Sequence, residues 1–195
     1  MPAAWVFATN NKHKLDEVRH AAGSLITLQS LAQLGCTEIL PETGHTLEEN
    51  ARQKAEFVFA KYGVPCFADD SGLEVEALNG EPGVASAHYA GPQRSSTDNI
   101  NLLLSRLKNE ANRKARFRCI IAVASHQGLQ LFEGVLNGNI AIQPQGTMGF
   151  GYDPVFVPEG ETRTLAEITL EEKNKISHRA RAVRKLISFL RGQIQ

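Results

Sequence analysis

Phe67-Ala68-Asp69-Asp70-Ser71-Gly72-Leu73 puts two adjacent carboxylates at the end of an apolar segment and follows them with a turn-forming Ser-Gly. Cys66 to Ala68 is predicted to be a buried strand that delivers Asp69 and Asp70 to its end. A carboxylate pair at a strand end suits a magnesium ion and a phosphate group. Taken alone, Asp-Asp-Ser-Gly also describes a solvated turn, because Asp and Gly are turn residues. The rest of the chain decides between the two.

Upstream, the apolar run Trp5-Val6-Phe7-Ala8, the capping and turn residues Thr9-Asn10-Asn11 and the polar stretch from Lys12 to Ala22 read as strand, tight turn and exposed helix. A second strand is expected from Ile26 to Ser30. The acidic turn Leu40-Pro41-Glu42-Thr43-Gly44 precedes a helix marked by a Thr46-x-x-Glu49 capping box, an apolar stripe of Leu47, Ala51, Ala55, Val58 and Tyr62, and Gly63 as its stop. Downstream, Asn79-Gly80-Glu81-Pro82-Gly83 is too rich in breakers to be regular, and Thr97 to Lys108 carries Ile100, Leu103, Leu104 and Leu107 on one helical side. The runs Phe117 to Val123 and Leu129 to Leu136, separated by His126-Gln127-Gly128, predict an antiparallel hairpin. Ser177 to Leu190 closes the chain as an amphipathic helix with Ala182, Val183, Leu186, Ile187 and Leu190 on its apolar stripe. The mixture of crossover and hairpin signals predicts an α/β fold that is mixed, not strictly alternating. No internal repeat or interdomain linker is visible, so residues 1–195 are expected to form a single domain.

The 195 residues are 42% hydrophobic, enough for an ordinary core, and 21 basic residues balance 21 acidic ones. A net charge of +0 provides no overall field to hold nucleic acid or anionic lipid, so phosphate binding has to come from a local cluster. Cys36, Cys66 and Cys119 are widely spaced and odd in number, which argues against a disulfide framework or a structural zinc site. No charged-then-apolar leader opens the sequence and no apolar run approaches the ~20 residues of a membrane span. A soluble cytoplasmic protein is the expectation.

Four constellations bear on chemistry. Thr9-Asn10-Asn11-Lys12-His13-Lys14 is a strand-to-helix turn suited to an anion, with Lys14 adding a charge, although it lacks the glycines and Gly-Lys-Ser/Thr of a P-loop. Glu42, Asp69 and Asp70 form an acidic set of hard oxygen donors, and a carboxylate not fully committed to metal can take a proton from water. Lys54 borders the buried stripe of its helix, either reaching the same cleft or snorkelling from the core edge. Gly149-Phe150-Gly151-Tyr152-Asp153-Pro154 presents an aromatic ring between glycines, an arrangement that serves either base stacking or packing. Lys173 with Ser177-His178-Arg179 offers donors to a ligand, or a solvated helix start.

In order along the chain, Thr9-Asn10-Asn11-x-x-Lys14, Ala68 to Leu73, Pro82-Gly83-Val84-x-Ser86-Ala87, Gly149 to Pro154 and Ser177-His178-Arg179 resemble the inosine triphosphate pyrophosphatase family. The resemblance runs from Ala8 to about Leu190. It implies an elongated mixed central sheet flanked by helices, two lobes around a nucleotide cleft, a homodimer, and magnesium-dependent hydrolysis of ITP, dITP or XTP to monophosphate and pyrophosphate. Carried over by motif, Thr9, Asn10, Asn11, Lys12, His13 and Lys14 bind the triphosphate, Glu42 and Asp70 hold Mg2+, Asp70 is the proton acceptor and Asp69 supports it. Ser71 falls at a substrate-contacting position, Phe150, Gly151, Tyr152 and Asp153 line the nucleotide pocket, and Lys173, His178 and Arg179 read the base; Lys54, from its helix position alone, is added to the substrate-binding set. Thr-Asn-Asn stands where many members have Thr-Gly-Asn, and Thr147-Met148-Gly149 where Thr-Gly-Gly is frequent; both departures lie beside binding residues. The competing readings are a pyrophosphatase for modified pyrimidine nucleotides, a phosphomonoesterase and a non-catalytic nucleotide sensor.

Overall fold

The run from Cys66 does not turn at Ser71-Gly72. In the computed structural model, which describes residues 4–192, it continues as a ten-residue strand, β3, from Cys66 to Val75. The aspartate pair therefore sits in mid-strand instead of at a strand end. Tertiary contacts override the turn preference of Ser-Gly, because Leu73 and Val75 are fully buried and the Leu73 N–H donates to Ser86 Oγ at 2.9 Å. Gly72 is required for close approach: a Cβ there would lie 2.3 Å from the carbonyl oxygen of Gly83.

The described chain forms β1 (Ala4–Phe7), α1 (Lys12–Ala22), β2 (Thr27–Ser30), α2 (Leu31–Leu34), α3 (Leu47–Tyr62), β3, α4 (Ser96–Arg106), β4 (Lys114–Ser125), β5 (Gly128–Ile140), β6 (Phe156–Pro158), α5 (Leu170–Ile176) and α6 (His178–Gly192). The strands make one six-stranded sheet in the order β2-β1-β3-β4-β5-β6. β1 runs parallel to β2 and to β3, with Phe7 opposite Phe67, and β6 is antiparallel to β5. The sheet is mixed, as the sequence pattern predicts, and His126-Gln127 alone join the sheet neighbours β4 and β5.

Two compact units share these strands. Of the described residues, the first takes 4–70, Cys119–Gly134 and 179–192; the second takes Ser71–Arg118 and Val135–His178. Each has its own apolar core. In the first, Phe7 and Phe67 stack at 4.8 Å among Val18 and Ala22 of α1 and Ala182, Val183, Leu186 and Leu190 of α6. In the second, Leu103 and Leu107 join Leu73, Val75, Phe117, Tyr152 and Phe156. Burying each such large side chain contributes about 1.5–3 kcal/mol.

Helix ends follow their local chemistry with two departures. Thr46 caps α3 by accepting from the Glu49 N–H, but Glu49 accepts from the His45 N–H, one residue before its capping-box partner, so the box is only half closed. Lys173 belongs to a separate short helix, α5, where Thr169 and Glu172 do form a complete capping box, and the last helix begins one residue later than its sequence pattern suggests, at His178. Gly72→Ala is expected to lower stability by about 1–3 kcal/mol, the usual cost of overpacking, read as a reduced midpoint in urea with activity per folded molecule retained.

Candidate active site

Successive side chains on a strand point to opposite faces of the sheet, so adjacent aspartates cannot do the same work. On β3, Phe67 enters the core formed with α1 and α6, and Asp69, two residues on, faces those same helices. Cys66 donates its thiol to the Ala55 carbonyl of α3, and Asp70 likewise meets α3. The pleat thus divides the pair between two helical layers of the first unit.

Asp69 is 1% exposed and both of its oxygens are taken by cations. Oδ1 accepts from Lys14 Nζ at 3.1 Å and Oδ2 from Arg179 Nε at 3.0 Å, while the Cys119 thiol lies 3.7 Å from Oδ2. Burial pushes the Cys119 thiol up, so it stays protonated and donates. Burial by itself would also raise the Asp69 carboxyl, but Lys14, Arg179 and Lys54 together hold it well below the usual carboxylate range. Arg179 also donates from Nη1 to Glu17, which is buried on α1.

Asp70 has a different environment. Its Oδ1 is 3.4 Å from Lys54 Nζ and its Oδ2 accepts from Asn50 Nδ2 at 3.2 Å, both donors from α3. Lys54 also donates to Glu42 Oε1 at 2.6 Å, so one buried ammonium gathers the two carboxylates. Burial pushes the Asp70 carboxyl up, and Asp69 and Glu42 add to that against the pull of Lys54 and Lys14. The same excess of negative charge outweighs burial at Lys54 and keeps its ammonium protonated. The pair is set apart in acidity: the Asp69 carboxyl is held below the usual carboxylate range and the Asp70 carboxyl is raised above its ordinary value.

The donor set fits magnesium. Among the described residues no group of three or more His, Cys, Asp or Glu side chains forms a protein-only cage. Glu42 and Asp70 are two hard oxygen donors already converging on one cation, and magnesium takes one or two carboxylates together with substrate phosphates and water.

Around the first helix turn, Thr9 Oγ1 accepts from the Asn11 N–H, Asn11 caps α1 by accepting from the Lys14 N–H, and Ala8 is tied to Phe67 by a 2.7 Å backbone bond. Asn10, Asn11, Lys12 and His13 are exposed, and Lys14 is half-buried.

In the second unit, Asp153 is 2% exposed and organises the glycine-aromatic turn. Its Oδ2 accepts from the Phe150 N–H at 2.8 Å and from Lys173 Nζ at 2.5 Å, and that ammonium sits 4.9 Å over the Phe150 ring. Gly149 has φ 75° and a Cβ there would lie 2.1 Å from Asp153 Oδ2, so the turn admits no larger residue. Tyr152 is buried with its hydroxyl on the Ser86 carbonyl, and His178 lies flat on Phe117 at 4.7 Å and 11°. Ser71 is half-buried in this unit, as is Gly151.

Lys14, Glu42, Lys54, Asp69, Asp70 and Arg179 are therefore brought into one network in the first unit, and Phe150, Asp153 and Lys173 into another in the second. Arg179, placed beside the base by resemblance, directs Nε and Nη1 at Asp69 and Glu17. Sequence reasoning missed three participants: Asn50, Glu17 and Cys119. Asn50 lies four residues before Lys54 on the buried stripe of α3, and Glu17 three after Lys14 on α1, so helical spacing carried a signal for both.

A profile of the Ham1 family matches residues 5–189. The chain belongs to the Ham1 family. It is 52% identical to a dITP/XTP pyrophosphatase of Porphyromonas gingivalis over 95% of this chain and 96% of that protein. A dITP/XTP pyrophosphatase of Flavobacterium psychrophilum is 50% identical over 96% of this chain and 98% of its own length. Among solved structures, the Ham1 protein of Staphylococcus aureus superposes with a TM-score of 0.88 at 39% identity, covering 98% of this chain and 100% of that one. The HAM1 protein of Coxiella burnetii gives 0.89 at 37% identity, again with 98% and 100% coverage.

Asp69→Asn should strip Lys14 and Arg179 of their shared anion and lower stability by about 3–5 kcal/mol at neutral pH. The folded-state pKa of Asp69 lies below its unfolded value of about 3.9, so its contribution is complete above that pH and is lost as pH falls through the folded pKa. The gap between wild type and variant, measured by urea unfolding, should accordingly narrow below about pH 4.

Proposed function

We propose that this chain is a magnesium-dependent pyrophosphatase that hydrolyses deaminated purine nucleoside triphosphates, dITP, ITP and XTP, to the monophosphate and pyrophosphate, and so clears them from the nucleotide pool. The observation that carries the reading is the convergence of Glu42 and Asp70 on one buried cation, with Lys14 held beside them on Asp69. The names and high identity of its relatives support the same substrate class.

Magnesium held by Glu42 and Asp70 would neutralise triphosphate charge and leave open positions for phosphate oxygens and water. Thr9 to Lys14 receive the triphosphate, with the Lys14 ammonium drawing the negative charge that builds as the bond to the leaving pyrophosphate breaks. Asp70 would orient the water attacking the α-phosphorus and accept its proton through whatever part of the carboxylate is not committed to the metal. Asp69, already saturated by Lys14 and Arg179, keeps those cations in place.

Base choice is assigned to the second unit. Hypoxanthine and xanthine present an acceptor O6 and an N1–H donor, whereas adenine presents an amino group and a bare N1. Donors from Lys173 and His178 match O6 and leave the amino group of adenine facing donors. The Phe150 ring, which carries the Lys173 ammonium 4.9 Å from its centroid and whose backbone N–H is held by Asp153, would stack on the base. A homodimer working in the cytoplasm belongs to the same proposal on the strength of the family resemblance; light scattering at about twice the 21.4 kDa chain mass is the check on the dimer.

Steady-state hydrolysis of ITP, XTP, GTP and ATP, with pyrophosphate and orthophosphate assayed separately, tests the reading. Pyrophosphate release from ITP and XTP, abolished by EDTA, is expected; orthophosphate as product would sink it. Asp70→Asn should retain its fold and lose about 10²–10⁴-fold in turnover. In the same assay His178→Ala should cut the preference for ITP over ATP by about 1–3 kcal/mol, one buried hydrogen-bond match, and an unchanged ratio removes His178 from base reading.

A further inference from the structure

Between α2 and α3 the chain has no helix or strand, yet this stretch carries Glu42, one of the two carboxylates that converge on Lys54. Its backbone is tied instead to side chains of α3. Three successive N–H groups are received by three residues of that helix: Thr43 donates to Gln53 Oε1 at 2.9 Å, Gly44 to Asn50 Oδ1 at 2.8 Å and His45 to Glu49 Oε2 at 2.6 Å. Gly44 lets the turn come this close, since a Cβ there would lie 2.5 Å from Glu49 Cβ and 3.0 Å from Asn50 Oδ1. Of the three receivers Asn50 alone is buried, at 5% exposed, and it alone continues to the opposite carboxylate, its Nδ2 donating to Asp70 Oδ2 at 3.2 Å.

The two ends of a primary amide cannot exchange roles here. A backbone N–H needs an acceptor, so Oδ1 faces Gly44, and Nδ2 is left to donate to Asp70. One planar group thereby spans the turn that carries Glu42 and the strand that carries Asp70. Lys54 joins the same two carboxylates, but its ammonium is repelled by a divalent ion bound to their oxygens, whereas the neutral amide holds its partners with or without the metal. We propose that Asn50 is a positioning residue for the metal ion: its amide sets the Glu42 turn against Asp70, so that the two carboxylates reach one divalent cation. The inference rests on the reading of Glu42 and Asp70 as magnesium donors. Hydrogen-bond partners that orient metal ligands in this way are worth about 10–100-fold in affinity.

The test is Mn2+ binding to the nucleotide-free protein, wild type against Asn50→Ala, followed by the electron paramagnetic resonance signal of the free ion; Mn2+ takes the same carboxylate donors as magnesium. Kd should rise about 10–100-fold at unchanged stoichiometry, and half-maximal turnover of ITP should need correspondingly more magnesium. A merely structural role would lower the number of sites through the folded fraction and leave Kd alone, and that result overturns the inference. Gln53→Ala, which frees Thr43 of the same turn without touching Asp70, should raise Kd less; an equal rise shows that tethering the turn is sufficient and overturns the spanning role. Glu42→Gln and Asp70→Asn separate the inference from the reading beneath it. Mn2+ binding that neither variant weakens sinks the metal site and the inference with it, while binding that both weaken and Asn50→Ala does not overturns the inference alone. Should Asn50→Ala fold poorly, Gly44→Ala crowds the turn off α3 with the Asn50 side chain intact; Kd should again rise, and an unchanged Kd overturns the inference.

Discussion

The first unit is organised around one buried carboxylate. Asp69 comes from the middle of a strand, its cationic partners lie 55 residues before it and 110 after it, and Asp69 and Arg179 meet almost wholly buried with Lys14 half-buried beside them. Desolvating a carboxylate costs several kcal/mol, which only close pairing and hydrogen bonding offset. α1 and α6 must therefore dock on β3 with Lys14 and Arg179 in place, and the apolar stripe of α6 packing on Phe7 and Phe67 supplies the driving force. Ionic specificity and hydrophobic docking point to the same arrangement, the kind of agreement across levels that gives a single native state.

That constraint bears directly on the chemistry. Because the pleat sends neighbouring side chains to opposite faces, Asp69 is neutralised by α1 and α6 while Asp70 is left to α3. α3 offers Asp70 an amide and an ammonium shared with Glu42, a weaker compensation than the two cations on Asp69. Two identical residues, adjacent in the chain, are thereby driven to opposite acidities. The proposed division between a fixed charge and a proton acceptor rests on that separation.

The second unit repeats the device on a smaller scale. Asp153 is a buried anion that accepts from a backbone N–H on one side and the Lys173 ammonium on the other, and so fixes a ring, a cation and a glycine turn at once. The residues were visible in the sequence, but the role of Asp153 as their organiser was not, because Lys173 is 20 residues away on a helix that the apolar pattern did not announce. A Thr169-x-x-Glu172 box marks that helix; at seven residues it is too short for periodicity to register.

The sequence by itself determined the longer elements and their order: apolar runs became strands, α3 buries Leu47, Ala51, Ala55 and Val58 of the stripe read from its spacing while Tyr62 is half-buried, and the paired aspartates, Lys14 and Lys54 stood out by chemical type. Those properties are local, written in period, caps and composition. Only the tertiary structure decided that Ser71-Gly72 stays extended, since that depends on the carbonyl of Gly83 lying against Gly72 and on the burial of Leu73. Tertiary structure likewise decided which aspartate meets which cations, that Glu17 and Asn50 join them, and that Arg179 turns toward Asp69. Long-range pairing of buried charges has no sequence period, so Glu17 and Arg179, 162 residues apart, are joined only by the packing of α1 and α6 around β3.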